Sequence, residues 1–360
     1  MKGARKRMEQ TYRRASLLYR HNAEGIKLLL AAGLLYLLLS LLVPAFGSVA
    51  TFTSILSQVP EFGLYAMAMM LSMLIGGIDL SIIAVGNLST ILGALFVKEM
   101  VARDLGQEGI FVALGALLVV LVGCICGLVN GLLTTKLGIV PFLTTLGTMQ
   151  LFNGITMMIT DGKAVSNLPS AYSALGMKKL GFVPICFLVF LAVTLLLAFL
   201  VNRTVFGQKV LLVGSNQNVA RFSGIHCDKT ILYNSVLGSA VAACAGLVLS
   251  SHVSSAKPGY GDIYQLQAIL AVILGGVDSN GGYGRVFSVF SSVLVLQVIT
   301  TGVNAMRLGS QYFDELAWGC VLIGELLIKY AIRYWRENCR RRWCEVSGET
   351  VSVFAEKRKL

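Results

Sequence analysis

The sequence predicts an all-α polytopic membrane protein of about ten transmembrane helices, with broken helices among them and an inverted repeat. Three observations carry that prediction. Hydrophobic residues make up 56% of the 360-residue chain and charged residues only 13%, roughly half the charged share of a soluble domain, and the mean hydropathy is +0.75. Lys and Arg outnumber Asp and Glu by 30 to 18, and the excess is terminal: residues 1–27 hold eight basic and two acidic residues, residues 329–360 nine and four. Between Lys27 and Lys98 there is no Lys or Arg, and the acids there are Glu61 and Asp79. A secreted disulfide scaffold, a disordered chain and a nucleic-acid binder are excluded, because the charge flanks an apolar body instead of running through it beside aromatics.

A bilayer core about 30 Å thick takes about 20 apolar residues at about 1.5 Å per residue. Spans of that kind fit 26–46, 59–75, 82–97, 110–133, 138–159, 181–201, 231–250, 265–277, 286–304 and 314–332. The first reads as an uncleaved signal anchor, since Val43-Pro44-Ala45-Phe46 lacks a small-x-small cleavage site. The stretches 59–75 and 265–277 are short and end in Gly-Gly, which reads as broken or tilted helices. An even number of spans puts the basic tails, 1–25 and 333–360, on one side. That side then carries 23 Lys and Arg, and the other side seven, so both termini are expected in the cytoplasm. The transmembrane domain covers 26–332, with 202–230 its longest cytoplasmic loop. No cysteine falls in an outer loop, so no disulfide is expected. His226-Cys227 and the Cys339/Cys344 pair lack the further ligands a metal needs.

Backbone that leaves the helix inside a bilayer survives only beside protein or water, so breaks mark a pathway. Two segments match: Gly76-Gly77-Ile78-Asp79 followed by Leu80-Ser81, and Gly275-Gly276-Val277-Asp278. Gly-Gly permits the bend, and Asp79, Ser81 or Asp278 can cap the helix that follows. Matching interrupted segments in two halves of a transporter suggest the inverted repeat. Polar side chains within the spans cost free energy unless they meet a partner or water. Some are read as interhelical hydrogen bonds beside Gly123, Gly127 and Gly131. Asn87, Asn130, Thr145, Thr148, Asn153 and Asn304, with Phe142 at the head of one span, are the candidate translocation path for an uncharged polar solute.

Charge is scarce in the middle of the spans, with Glu325 near an inner end and able to pair with Lys329 four residues later, and His21, His226 and His252 fall outside them, which argues against ion coupling. No Gly-x-x-x-x-Gly-Lys-Ser/Thr loop occurs; Gly281-Gly282-Tyr283-Gly284-Arg285 lacks the lysine, so the energy source lies on another chain. No nucleophile stands beside a base, and no catalytic residue is expected. In 202–230, Asn216 is placed to cap a short helix ending at Phe222, with Val219 and Phe222 on one face and Gly224 as its stop. Such a helix docks a soluble partner or shields the bundle.

Five blocks stand in order along the chain: Gly76-Gly77-Ile78-Asp79-Leu80-Ser81, Gly127-Leu128-Val129-Asn130-Gly131-Leu132-Leu133, Pro141-Phe142-Leu143-Thr144-Thr145-Leu146-Gly147-Thr148-Met149, Ala220-Arg221-Phe222-Ser223-Gly224-Ile225 and Ile273-Leu274-Gly275-Gly276-Val277. With them the chain resembles the membrane subunits of ribose-type sugar ABC importers, in the binding-protein-dependent transport permease family. The resemblance implies a permease of the bacterial cytoplasmic membrane that pairs with a second permease subunit, two cytoplasmic ABC ATPases and an extracytoplasmic solute-binding protein. ATP and Mg would sit on the ATPases, and this chain would hold no cofactor. The segment Asn218, Val219, Ala220, Arg221, Phe222, Ser223 and Gly224 would be the coupling helix. Ribose, galactose or xylose would be the solute, with nucleosides, inositol and autoinducer-type sugars as alternatives. Gln217 and Asn218 stand where relatives commonly carry acidic residues.

Overall fold

The structure, a computed structural model, describes residues 24–43, 46–103 and 107–306, and further along 313, 316–321, 323, 324, 327, 330, 331 and 334. The chain divides into two compact units, 1–307 and 308–360. In the second, the described residues are helical, and all but 313 and 334 fall within the expected last span, 314–332. Both basic tails lie outside the described residues, apart from positions 24, 25 and 334.

In the first unit α1 is Glu24–Leu42. It is followed by α2 (Val49–Leu74), α3 (Ile82–Arg103), α4 (Glu108–Lys136), α5 (Pro141–Thr160) and α6 (Ser170–Met177). A two-stranded hairpin of β1 (Lys179–Leu180) and β2 (Val183–Pro184) precedes α7 (Ile185–Arg203), α8 (Val205–Ser215) and α9 (Gln217–Phe222). The unit closes with α10 (Cys227–Val253), α11 (Tyr264–Leu274) and α12 (Val286–Ala305). Among the described residues six helices, α1, α3, α4, α7, α10 and α12, are long and apolar enough to cross a membrane.

The second span differs from the expected 59–75: α2 begins at Val49 and runs for 26 residues, about 39 Å at helical rise. Its polar first half, with Ser54, Ser57, Gln58 and Pro60, hides it from a hydropathy reading. Pro60 removes one backbone donor from the ladder, and nearby the Ser57 carbonyl accepts from Cys186 Sγ of α7 at 3.7 Å. From Val59 to Leu71 every residue of α2 is buried, because α7, α10, α11 and α12 pack around it. α11, by contrast, is as short as the sequence indicates, with 11 residues.

α4 shows how a membrane helix sorts its faces. Ile110, Leu114, Leu117, Leu121, Ile125, Leu128 and Leu132 form an exposed apolar stripe, at the 3.6-residue period of a helix. The opposite face carries Gly115, Gly123, Gly127 and Gly131, all buried. Gly115 faces α3, and along Gly123, Gly127 and Gly131 α10 runs antiparallel in close contact. A Cβ on Gly127 would stand 2.6 Å from the Ser235 carbonyl oxygen, and one on Gly131 would stand 2.6 Å from Leu232 Cδ1. Lipid offers no hydrophobic drive for such contact, so close backbone approach between small residues supplies it. Gly86 of α3 meets Gly246 of α10 in the same way.

The loops gather at two ends. At one end a Cβ on Gly77 would stand 2.9 Å from Pro141, while Gly214 stands against the α2 terminus and Gly282. At the other end Val165 pairs with Ala256 as a β-bridge, the Tyr172 hydroxyl lies 2.6 Å from Ser250 Oγ, and Ser254 donates to Ser173 at 2.8 Å. Burial pushes the Tyr172 hydroxyl up to about 12, so it is a neutral partner for Ser250.

Candidate functional site

Both helix breaks end alike. After α2 the chain turns at Gly76 (φ +89), with Gly76 N–H donating to Met73 O and Gly77 N–H to Ser72 O. After α11 it turns at Gly276 (φ +76), with Gly276 N–H donating to Ile273 O and Val277 N–H to Val272 O. Each is a Schellman cap whose left-handed residue glycine alone adopts at little cost. The next polar residues also correspond. Asp79 Oδ1 accepts from Ser81 N–H at 2.8 Å and Ser81 Oγ at 2.6 Å, while Asp278 Oδ1 accepts from Asn280 N–H at 2.9 Å.

Two expectations about the breaks are corrected. Asp278 does not cap the next helix: α12 starts at Val286 with Arg285 as its N-cap, and the glycines at 281–284 intervene. The two breaks also lie side by side at one end, with a Cβ on Gly76 placed 2.7 Å from Asn280 O, and α2 and α11 run in the same sense, since the Tyr264 hydroxyl reaches Glu61. An inverted repeat puts its matching elements in opposite sense; these two are parallel.

Between the first break and α4, α5 and α10 lies a cleft of about 40 Å³, lined among others by Gly77, Asp79, Asn130, Thr145 and Asn234. Asn130 Nδ2 donates to Ser81 Oγ at 2.8 Å. Thr145 Oγ1 accepts from Leu80 N–H at 3.1 Å and lies 3.2 Å from the Ile78 carbonyl, while Asn234 Nδ2 donates to Leu71 O at 2.8 Å. Asn130 Oδ1 and Asn234 Oδ1 are buried without a protein partner. The volume suits a few waters and is far below the roughly 300 Å³ of a ligand pocket. This is a small, partly open cleft in which a few polar groups stand among apolar ones.

Asp79 organises it. Asp79→Ala leaves the Ser81 N–H and hydroxyl without their acceptor and is expected to destabilise the protein by about 1–3 kcal/mol. Thermal unfolding in detergent checks this, and Asp79→Asn, which keeps an acceptor oxygen, is expected to recover part of the loss.

Asn130 and Thr145 are thus brought together. Thr148 is buried one turn further along α5, with its hydroxyl on Thr145 O. Asn87 is buried in α3 and its Nδ2 has no protein partner. Asn153 sits deeper on α5 with Oδ1 buried and unpartnered. Phe142 exposes its side chain while its carbonyl accepts from Thr145 Oγ1 at 3.3 Å, and Asn304 is exposed on α12.

The segment 202–230 is mostly helix, because the apolar run 205–215 forms α8. Thr204 Oγ1 accepts from Gly207 N–H at 3.3 Å to start it. Asn216 then caps α9 as the spacing predicts, with Oδ1 accepting from Asn218 N–H at 2.9 Å and Val219 N–H at 3.1 Å. Gly224 (φ +78) ends the turn, with Ile225 N–H donating to Ala220 O. Ala220 is buried, while Val219 is 58% and Phe222 93% exposed. Arg221 lies 3.5 Å from Asp228, both exposed.

Hydropathy reading missed one group. Glu61 is buried in α2, bonded to His252 Nδ1 and to the Tyr264 hydroxyl at 2.7 Å. His252 is not outside the helices, since α10 extends to Val253. Three helices, α2, α10 and α11, contribute one residue each, and the signal in the sequence was a lone acid inside an apolar run.

A bundle of membrane-length helices, interrupted twice at one end, with a small cleft beside the first break and an exposed capped helix at the same end, defines a multi-pass transport permease. The family model described as the branched-chain amino acid transport system permease component matches residues 51–329. The chain belongs to that permease family. It is 33% identical over 299 residues to the ribose import permease protein RbsC of Bacillus subtilis (strain 168), covering 82% of this chain and 89% of that one. It is 32% identical over 302 residues to the D-allose transport system permease protein AlsC of Escherichia coli (strain K12), covering 81% and 90%. It is 30% identical over 314 residues to the autoinducer 2 import system permease protein LsrC of Yersinia pestis (strain Pestoides F), covering 87% and 86%. No solved structure matches the chain.

Proposed function

We propose that this chain is the membrane subunit of an ABC importer that passes a monosaccharide, of the ribose, galactose or xylose kind, across the bacterial cytoplasmic membrane by ATP-driven alternating access. Similarity to ribose and allose permeases supports a sugar, and similarity to autoinducer 2 permeases keeps that solute as the alternative. The observation that carries the reading is α9. An Asn216-capped helix that buries Ala220 and presents Val219, Arg221 and Phe222 to solvent is built to be gripped, since among the described residues its apolar Val219 and Phe222 side chains stay uncovered.

In this reading α9 faces the cytoplasm with both termini and docks one of two ATPases, which hold ATP and Mg. A solute-binding protein delivers sugar at the opposite end. A second permease subunit covers the exposed face of α5, where Phe142, Gly147, Gln150 and Gly154 stand open; a polar Gln150 facing lipid is unfavourable, and a partner or a wet path relieves that. The path then runs between subunits past Phe142, Thr145, Thr148 and Asn153, and neutral acceptors such as Asn130 Oδ1 suit hydroxyl groups without holding them tightly.

Phe222→Asp tests the docking. At 93% exposure the change has little reason to disturb folding. Expected is a normal amount of permease in the membrane, loss of ATPase co-purification and at least a ten-fold fall in uptake. Unchanged co-purification overturns the assignment of α9.

A further inference from the structure

We infer that Gly214, Gly281 and Gly282 are positioning residues that carry displacement of α9 to both helix breaks, an inference that rests on α9 being the ATPase contact. α8 ends at Ser215 and Asn216 caps α9 immediately, so any movement of α9 is delivered first to Gly214 and Ser215.

Those two residues lie directly against the main chain of Leu74 and Gly282. A Cβ on Gly214 would overlap the carbonyl oxygen of Leu74, the last residue of α2, and would stand 2.6 Å from Gly282 N. That carbonyl accepts a hydrogen bond from Gly282 N–H at 2.9 Å. A Cβ on Gly282 would stand 2.6 Å from Ser215 Cα, and one on Gly281 would stand 2.6 Å from Gly76 N and 2.8 Å from Gly214 O. Gly281 and Gly282 both hold left-handed backbone, at φ +92 and +80, so no other residue replaces them without strain.

Three segments remote in the sequence therefore meet almost entirely main chain to main chain, with Ser215 Cβ the side-chain atom at the junction. A side chain absorbs a displacement by changing rotamer, whereas close-packed backbone has no such slack and must shift as a body or separate. The opposite end of α9 is different: nothing lies within 4 Å of a Cβ on Gly224. α9 itself meets α10 through side chains, with Arg221 3.5 Å from Asp228 and Cys227 Sγ donating to Gln217 O at 3.6 Å, whereas just ahead of its N-terminus main chain closes on main chain. Through Leu74 and Gly76 that junction leads to Asp79 and the cleft, and through Gly281 to the break after α11.

Hydrogen exchange on the assembled importer, permease with ATPases, tests this without needing the sugar. Adding the ATPases with a non-hydrolysable ATP analogue is expected to alter exchange over 217–222 and, with it, at least three-fold over 278–285, the peptide that holds the Gly282 amide. In Gly214→Ala the response over 217–222 is expected to persist while that over 278–285 is lost. A wild-type response confined to 217–222 overturns the transmission role, as does an unaltered response in Gly214→Ala. Should that variant fail to accumulate, the wild-type comparison alone decides. No change over 217–222 overturns instead the docking of α9.

Discussion

Gly127→Val is expected to leave almost no assembled permease in the membrane. The added Cβ would stand 2.6 Å from Ser235 O, 2.7 Å from Val236 Cα and 2.8 Å from Ser239 Cβ. Two of those three atoms are main chain, so relief requires moving α10 away from α4. Overpacking against side chains costs about 1–3 kcal/mol, and here the contacts at Gly123 and Gly131 on the same seam are broken as well. In a bilayer, that seam is held by close approach and not by a hydrophobic drive, so nothing replaces what is lost. Leu128→Val, one residue along on the exposed stripe, is the control and is expected to change stability by less than about 0.5 kcal/mol. Membrane yield and melting in detergent measure both; equal behaviour of the two variants removes the seam from the account.

The second large effect is expected at Glu61. Its carboxylate receives His252 and Tyr264 from two other elements, with side-chain exposures of 11% for Glu61 and 31% for His252. Glu61→Ala strips both partners at once, and removing one member of a buried pair costs about 3–5 kcal/mol. Because the His252 side chain is 31% exposed and solvent screens it, the lower end of that range is expected. Glu61→Gln retains an oxygen for the Tyr264 hydroxyl and is expected to recover about 1 kcal/mol or more. Unfolding of the two variants, side by side, measures the difference. A melting temperature in Glu61→Ala equal to that of the unmodified protein would show that the cluster does not hold α2 to α10 and α11.

Local chemistry made much of this molecule legible before any coordinates. Hydrophobic runs between basic residues located α3 to within a few residues, and α12 as well, because a helix in lipid satisfies its own backbone and needs only length and apolarity. Asn216, Gly224 and the Gly-Gly pairs announced caps and stops whose bonds are made within a turn. The Ala220 block and the Asp79 block were visible for the same reason. What escaped was whatever broke the apolar rule. The first half of α2 carries too many hydroxyls to be seen as a span, although burial inside the bundle tolerates them. α8 was hidden in a segment read as loop, and Glu61, a lone acid, had no visible partner.

The sequence by itself determined the membrane class, the placement of most helices, the capped helix α9 and the existence of two glycine breaks, since each depends on residues within a few positions of one another. Only the tertiary structure decided that the breaks are parallel neighbours, that Gly214 closes on Leu74 and Gly282, that Asn130 reaches Ser81, and that Glu61 meets His252 across 191 residues of chain. Contacts of that kind depend on which faces of the helices come together. The glycine-lined seams and the buried polar pairs select those faces jointly, and no single stretch of chain encodes the choice.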